Sequence, residues 1–185
     1  MNTKLTITSA LILLSLQLFG QSDLPYGTPH KDAPTELSDY APLIGKSQCQ
    51  SYSRNQDGTW QEPVAMTWTF RYIMDGMAVQ DETIKEDGLH SGSIRQYHAD
   101  SARWYVHYYS TTSPGSALPV WEGGKQDNEI VLYRDQTAPN GTPGFYKIRF
   151  FDITDEHFEW LGAWVNKDES FAWETWKISC KKESK

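Results

Sequence analysis

The sequence predicts an all-β protein, folded as one antiparallel up-and-down barrel of about ten strands. Aromatic residues make up 14% of the 185 residues, and together with Val, Ile and Thr they fall into short segments. Turn dipeptides such as Asp-Gly and Asn-Gly separate these segments at intervals typical of barrels and sandwiches. A meander of this size leaves two unpaired edges unless it closes on itself, and closure therefore favours a barrel.

The first twenty residues are typical of a secretory signal peptide. Lys4 precedes an apolar run from Leu5 to Phe19, and the small or polar residues Gly20-Gln21-Ser22 follow it. The run is too short and too rich in Thr and Ser to span a membrane. We therefore expect residues 1–20 to be removed, and the mature protein to be secreted or periplasmic, with no membrane span.

Residues 21–42 are predicted to form an extended leader, because prolines recur in them and large apolar side chains are few. One short helical turn is expected at 36–40. A single barrel domain then occupies residues 43–185.

Ten strand-like segments follow the leader. The segment 157–165 also fits a helix, because Phe158, Leu161 and Val165 share a helical face, but Gly162 and the aromatic residues favour a strand. The predicted strands are 46–54, 60–72, 77–86, 90–98, 103–110, 117–122, 128–134, 144–153, 157–165 and 170–180.

Hairpin turns fix the register of paired strands, and the register decides which side chains face the interior. A two-residue turn at Asp75-Gly76 pairs Phe70 with Asp81 and Trp68 with Thr83. The face that carries Trp68 and Phe70 is the more apolar one. We therefore predict that it faces inward and that it includes the carboxylate of Asp81.

The next hairpins extend this count around the barrel. A two-residue turn at Asp87-Gly88 places Asp81 opposite Ile94 and leaves Arg95 outside, and the following hairpin then places His107 beside Ile94. His107 would lie in the same layer as Asp81. An odd-length turn in that following hairpin would instead bring the alternate residues inside, namely Trp104, Val106 and Tyr108.

Two further turns bring aromatic side chains together near the C-terminus. A turn at Thr154-Asp155 pairs Arg149 with Trp160, and a four-residue turn in the last hairpin pairs Trp164 with Trp173. The result is a strongly aromatic face that contains one arginine.

The two cysteines, Cys49 and Cys180, lie in the first and last predicted strands. Closure of the barrel makes these strands neighbours, and an exported protein meets an oxidising compartment. We therefore predict a disulfide between them, with two buried free thiols as the alternative. No second Cys or His stands at the spacing of metal ligands, so no metal site is expected.

Four motifs in the predicted barrel carry a resemblance to known proteins. They are Trp68-Thr-Phe-Arg-Tyr-Ile-Met-Asp-Gly76, Ala78-Val-Gln-Asp81, the hairpin from Arg95 to Trp104, and Phe151-Asp-Ile-Thr-Asp155 followed by Phe158-Glu-Trp160. Through them, over about residues 35–180, the chain resembles a lipocalin-like family of small bacterial secreted proteins of uncharacterised function. The resemblance implies a calycin-type barrel around a small-molecule cavity, and it implies no catalytic residues.

The chain departs from the lipocalin pattern at its first strand. Lipocalin-type barrels often open with Gly-x-Trp, whereas this chain has Gly45-Lys46-Ser47. The tryptophan that would plug the base of the barrel is therefore missing.

Charge and motif content exclude several function classes. The chain has a net charge of −7 and lacks the basic surface that binding to nucleic-acid phosphates needs, so nucleic acid is not expected as a partner. The chain has no Gly-x-Ser-x-Gly elbow, phosphate loop or Cys-His signature, and no cofactor is expected. No feature of the sequence specifies an oligomeric state.

The predicted ligand site lies at the end of the barrel from which the longest loops, 111–117 and 135–143, both emerge. Arg149 would pair with a ligand carboxylate, or else stack outward on Trp160. Asp81 and His107 would act on a ligand as acid and base, recognise it, or form an internal hydrogen bond. The predicted ligand-binding residues are Trp68, Asp81, Tyr105, His107, Arg149, Trp160 and Trp173.

Three function classes fit these observations. The first is a secreted lipocalin-like protein that binds a small, partly apolar ligand inside the barrel, and it is the one we expect. The second is a cofactor-free enzyme, such as a cyclase, isomerase or lyase, that uses Asp81 and His107 in the same cavity. The third is a carbohydrate-binding β-sandwich with an exposed tryptophan strip, drawn from Trp60, Trp121, Trp164 and Trp173.

Overall fold

The structure, a computed structural model, describes residues 24–183 as a closed antiparallel barrel of ten strands. Each strand pairs with its neighbours in sequence, and the first strand pairs with the last. The predicted all-β up-and-down barrel is therefore confirmed. The predicted signal peptide, residues 1–20, lies outside the described residues.

Strands make up nearly all of the regular structure, including the segment that also fitted a helix. The described part of the chain also forms two short 3₁₀ helices, Thr35–Leu43 before the first strand and Ala99–Ser101 in a turn. Within residues 24–183, neither helix has the length and hydrophobicity needed to cross a membrane. The strands are β1 Gly45–Ser53, β2 Val64–Ile73, β3 Ala78–Lys85, β4 His90–His98, β5 Arg103–Ser110, β6 Val120–Gln126, β7 Glu129–Thr137, β8 Pro143–Phe151, β9 His157–Asn166 and β10 Ala172–Lys182.

The helix Thr35–Leu43 closes one end of the barrel. Its Tyr40 is fully buried, and the ring packs edge-on against Trp104 at 4.8 Å and Phe150 at 6.4 Å between ring centroids. The Trp104 indole N–H donates a hydrogen bond of 3.1 Å to Asp39 of the same helix. Tyr40 therefore fills the base of the barrel, in a chain that has no Gly-x-Trp tryptophan after Gly45 to fill it.

Above this plug, aromatic side chains fill the lower half of the barrel. The four rings of Trp68, Phe70, Phe150 and Phe158 pack mutually, with every pair of centroids 5.2–6.3 Å apart. All four side chains are buried. Edge-to-face and tilted contacts of this kind stabilise aromatic pairs beyond the area they bury, so this layer forms a solid floor.

The register of the first hairpins decides which polar groups face inward. Phe70 pairs with Asp81 as predicted, but Asp81 pairs with Ser93 instead of Ile94. The β3–β4 turn has three residues because Gly88 takes a left-handed conformation, with φ of 83°. A shift of one residue reverses the faces of β4, so Arg95 points inward and Ile94 outward.

The same shift carries into β5. His107 pairs with Ile94 as predicted, but both side chains face outward. Trp104 and Val106 face inward and are buried. The predicted inward orientation of His107 is therefore wrong. The turn between β4 and β5 has the even length that was predicted, so the error comes from the odd-length turn at Asp87-Gly88.

A second register error affects β8. Arg149 pairs with Leu161, and Phe150 takes the position opposite Trp160. The turn after β8 holds an odd number of residues, with Asp152 at a φ of 49°. The prediction that Arg149 opposes Trp160 is therefore wrong, whereas the predicted pairing of Trp164 with Trp173 is confirmed.

The barrel closes between β1 and β10, and a disulfide joins these strands. Cys49 and Cys180 pair directly in register and are bonded to each other. Both side chains are buried on the inner face. The predicted disulfide is confirmed, and the alternative of two free thiols is wrong.

Gly76, in the β2–β3 turn, lets the N-terminal segment pass over the base of the barrel. Its φ is 81°, and a Cβ atom there would collide with the backbone of Thr28 and His30. We expect Gly76→Ala to lower the free energy of unfolding by about 1–3 kcal/mol, because it combines backbone strain with this collision. Urea unfolding followed by Trp fluorescence measures the change.

Gly88 provides the matched control, since its φ is 83° and no atom lies within 4 Å of the Cβ position. Gly88→Ala should therefore show only the strain part of the effect. Equal losses in the two variants would contradict the role assigned to Gly76.

Candidate functional site

A cavity of about 570 Å³ occupies the upper half of the barrel, above the aromatic floor. Residues Ser113 to Gly115, from the first of the two predicted long loops, line its opening. The second loop is shorter than predicted because β7 extends to Thr137, and Gln136 of that strand lines the cavity. The cavity is open at one end and closed at the other.

The structure brings three of the seven predicted site residues to this cavity, namely Trp68, Asp81 and Trp160. Tyr105 and His107 lie on the outer face of β5, and Arg149 lies on the outer face of β8. Trp173 lies at the rim. The residue is 37% exposed, and its ring stacks on the guanidinium of Arg54, whose carbon lies 4.1 Å from the ring centroid.

Arg149 is held on the outside of the barrel by Glu129. Its Nε and Nη2 atoms donate hydrogen bonds of 2.8 and 2.6 Å to the two carboxylate oxygens. This bidentate bond lowers the pKa of Glu129 below its usual range. The outward alternative for Arg149 is therefore the one observed, although the guanidinium lies over Phe151 and not over Trp160.

Asp81 lies at the floor of the cavity and forms a buried ion pair with Arg95. One carboxylate oxygen accepts from Nη1 of Arg95, and the other accepts a 2.8 Å hydrogen bond from the indole N–H of Trp68. The side chains of Asp81 and Arg95 are each 3% exposed. Asp81 therefore has Arg95 as its partner where the sequence predicted His107, and the hypothetical acid–base pair is not formed.

Aromatic rings surround the ion pair from below. The guanidinium carbon of Arg95 lies 5.1 Å from the ring centroids of both Tyr40 and Phe70. Burial by itself lowers the pKa of Arg95, but the charge and hydrogen bond of Asp81 together with the interactions of Tyr40 outweigh it, and the net shift of the pKa is upward. Burial raises the pKa of Tyr40 to about 12, so this phenol stays neutral beside the ion pair.

Arg134 also faces the cavity, and it is not among the residues that the sequence predicts for the site. It projects inward from β7 and pairs in register with Tyr146. Its guanidinium carbon lies 4.3 Å from the ring centroid of Trp121 on the neighbouring strand. Alternation of Ile130, Leu132 and Arg134 on one face of β7 is the signal that would have placed it inside.

The two sides of the cavity differ in polarity. Hydroxyl groups from β3, β4 and β5 line one side, where Thr83 and Ser91 share a hydrogen bond of 2.7 Å. Trp160 and Ile178, from β9 and β10, present apolar surface on another side. An arrangement of mostly apolar walls with a few oriented polar groups is typical of small-molecule sites.

No group of three or more His, Cys, Asp or Glu side chains within residues 24–183 is placed to hold a metal ion.

Comparison with known proteins shows a similarity to solved structures. No family model matches the sequence, and no curated protein matches it. Among solved structures, the chain is similar to the S-type phycobiliprotein lyase CPES from Guillardia theta, with 12% identity and a TM-score of 0.47. The similarity covers 79% of this chain and 90% of that one.

Proposed function

We propose that the protein binds a small, partly apolar molecule inside its barrel. The observation that carries this proposal is the cavity of about 570 Å³, which falls within the range of ligand pockets. Small barrels are often filled by side chains, whereas this one is filled only in its lower half. A solid floor, an open mouth and walls of mixed polarity together support the binding of a ligand that enters from the loop end.

The two other function classes have less support. An enzyme that uses Asp81 and His107 would need both side chains on one face, and they lie on opposite faces of the barrel wall. A carbohydrate-binding β-sandwich would need two separate sheets, and the strands close into one barrel. Of the proposed tryptophan strip, Trp121 is buried against the cavity.

We also infer that binding takes place outside the cytoplasm. The disulfide between Cys49 and Cys180 supports this, because disulfides persist mainly in oxidising compartments. The N-terminal twenty residues, typical of a signal peptide, support the same compartment.

A neutral apolar probe tests the binding proposal. N-phenyl-1-naphthylamine fluoresces when it leaves water, and we expect it to bind the mature protein with saturation at one site. Ser93 lines the cavity, so Ser93→Phe should fill it and weaken binding about tenfold or more, equivalent to about 1.4 kcal/mol.

Ile94→Phe adds the same ring on the outer face, one residue away, and should leave the affinity within about twofold. Near-ultraviolet circular dichroism checks that both variants are folded. Equal affinities in the two variants would place the probe outside the cavity, and no binding by the folded wild-type protein would overturn the proposal.

A further inference from the structure

We propose that the ligand is a monoanion, a carboxylate or sulfonate attached to an aromatic ring system, and that Arg134 binds its anionic group. This inference rests on the proposed function and names the chemical class of the ligand. Three observations carry it: the charge of the cavity wall, the bonding of Arg134 compared with the other arginines, and the unpartnered donors beside it.

The cavity wall carries a net positive charge inside an acidic protein. Three charged side chains line it, Asp81, Arg95 and Arg134. Asp81 and Arg95 neutralise each other in their ion pair, which leaves Arg134 as the source of one uncompensated positive charge. The whole chain, by contrast, has a net charge of −7. A single negative charge on the ligand would balance the wall.

Arg134 differs from the other five arginines of the chain, because each of those donates a hydrogen bond to another residue. Their acceptors are Gly58 and Glu174 for Arg54, Gln80 for Arg71, Asp81 for Arg95, Glu122 for Arg103 and Glu129 for Arg149. Within residues 24–183, Arg134 forms no ion pair, and its buried Nε has no acceptor. Its guanidinium is left with donors for an incoming group.

A second unpartnered donor lies beside Arg134. Trp121 is 7% exposed, lines the same cavity, and has a buried indole N–H with no acceptor in the described part of the chain. Buried donors without an acceptor are rare and destabilising. The planar guanidinium can offer two parallel N–H groups to a carboxylate or sulfonate, and the indole N–H offers a third donor nearby.

The floor and wall below Arg134 suit an aromatic ring on the same ligand. Trp68, in the aromatic floor, and Trp160, on the wall, both line the cavity. Their rings lie 6.3 Å apart between centroids and nearly perpendicular. A ligand ring that packs against these faces would point its anionic group toward the mouth, where Arg134 lies. One uncompensated charge also favours a monoanion over a dianionic phosphate ester.

Matched ligands of one size test this inference by isothermal titration calorimetry at pH 7.5. The probes are 2-naphthaleneacetic acid, its neutral amide, and 2-naphthyl phosphate. We expect the wild-type protein to bind the acid about tenfold or more tightly than the amide, because charged hydrogen bonds contribute on this scale. The phosphate should bind more weakly than the acid.

Three variants connect the preference to Arg134. Arg134→Gln should bring the acid to within about threefold of the amide and leave the amide affinity nearly unchanged, because it removes the positive charge and the paired guanidinium donors but keeps a polar side chain. Arg134→Lys keeps the charge and should keep part of the preference. Arg149→Gln is the matched control, since Arg149 lies outside the barrel, and it should keep the full preference.

The outcomes separate this inference from the proposed function. The inference is overturned if N-phenyl-1-naphthylamine binds in the cavity while the acid fails to bind or binds no better than the amide. A preference that survives Arg134→Gln, or tighter binding of the phosphate than of the acid, overturns it equally. If the neutral probe does not bind the folded protein, the proposed function fails as well.

Discussion

Replacing Arg95 with methionine should lower the free energy of unfolding by about 3–5 kcal/mol, because the change leaves the carboxylate of Asp81 buried without a cation. The Trp68 indole N–H would remain as a donor to that carboxylate, but a single neutral hydrogen bond does not replace a charge partner. Urea unfolding of the disulfide-intact protein, followed by Trp fluorescence, measures the loss. Asp81→Asn should be destabilising for the complementary reason, since it leaves the Arg95 guanidinium buried and unpaired.

A double variant separates the energy of the ion pair from the packing energy of its two side chains. Combining Asp81→Leu with Arg95→Met removes both charges at once and should recover a large part of the stability that either change loses alone. Additive losses would show that the two charges are not coupled. Arg103→Met serves as the control, because the ion pair of Arg103 with Glu122 is about half exposed and should contribute less than about 1 kcal/mol.

Replacing both Cys49 and Cys180 with alanine should lower the free energy of unfolding by about 2–5 kcal/mol. The disulfide joins residues separated by 131 positions, and it closes nearly the whole domain into one loop. Chain-entropy arguments give about 5 kcal/mol as the upper bound for a loop of this size. The same bond joins β1 to β10, so its removal leaves that closure to the backbone hydrogen bonds and side chains of the two strands.

Reduction of the wild-type protein is the control for this prediction. The reduced protein should match the double alanine variant in its urea midpoint, because both lack the same cross-link. Thiol titration of the denatured, unreduced protein should detect no free cysteine. Two titratable thiols would show that the disulfide is not formed. A urea midpoint that reduction leaves unchanged would show that the disulfide does not stabilise the fold.

Several features of the barrel follow from the sequence alone. Alternating strands separated by Asp-Gly and Asn-Gly turns determine an up-and-down sheet, and the positions of Cys49 and Cys180 indicate that it closes. The hairpin at Asp75-Gly76 determines the pairing of Phe70 with Asp81, because its turn has the usual even length. These are local or compositional properties, which a single sequence records directly.

The inner face of β4 and β5 was decided by tertiary structure. An Asp-Gly dipeptide fits a two-residue or a three-residue turn, and the local preference between them is small. The three-residue turn at Gly88 turns Arg95 inward, two residues along β4 from the position opposite Asp81, and turns His107 outward. Burying a carboxylate with a cation is far more favourable than burying it with an aliphatic side chain, so the interior selects the register.

The candidate site was predictable only in part, because its residues also depend on the register of the strands. Trp68, Asp81 and Trp160 lie on the face that the sequence assigns to the interior, whereas the partner of Asp81 depends on a turn of ambiguous length. The sequence predicts that this chain forms a closed, disulfide-linked barrel with an aromatic interior, and the structure confirms it. Only the tertiary structure decides that Arg95 neutralises Asp81, because one residue of register reverses every side chain along a strand. It also decides that no residue among 24–183 forms an ion pair with Arg134.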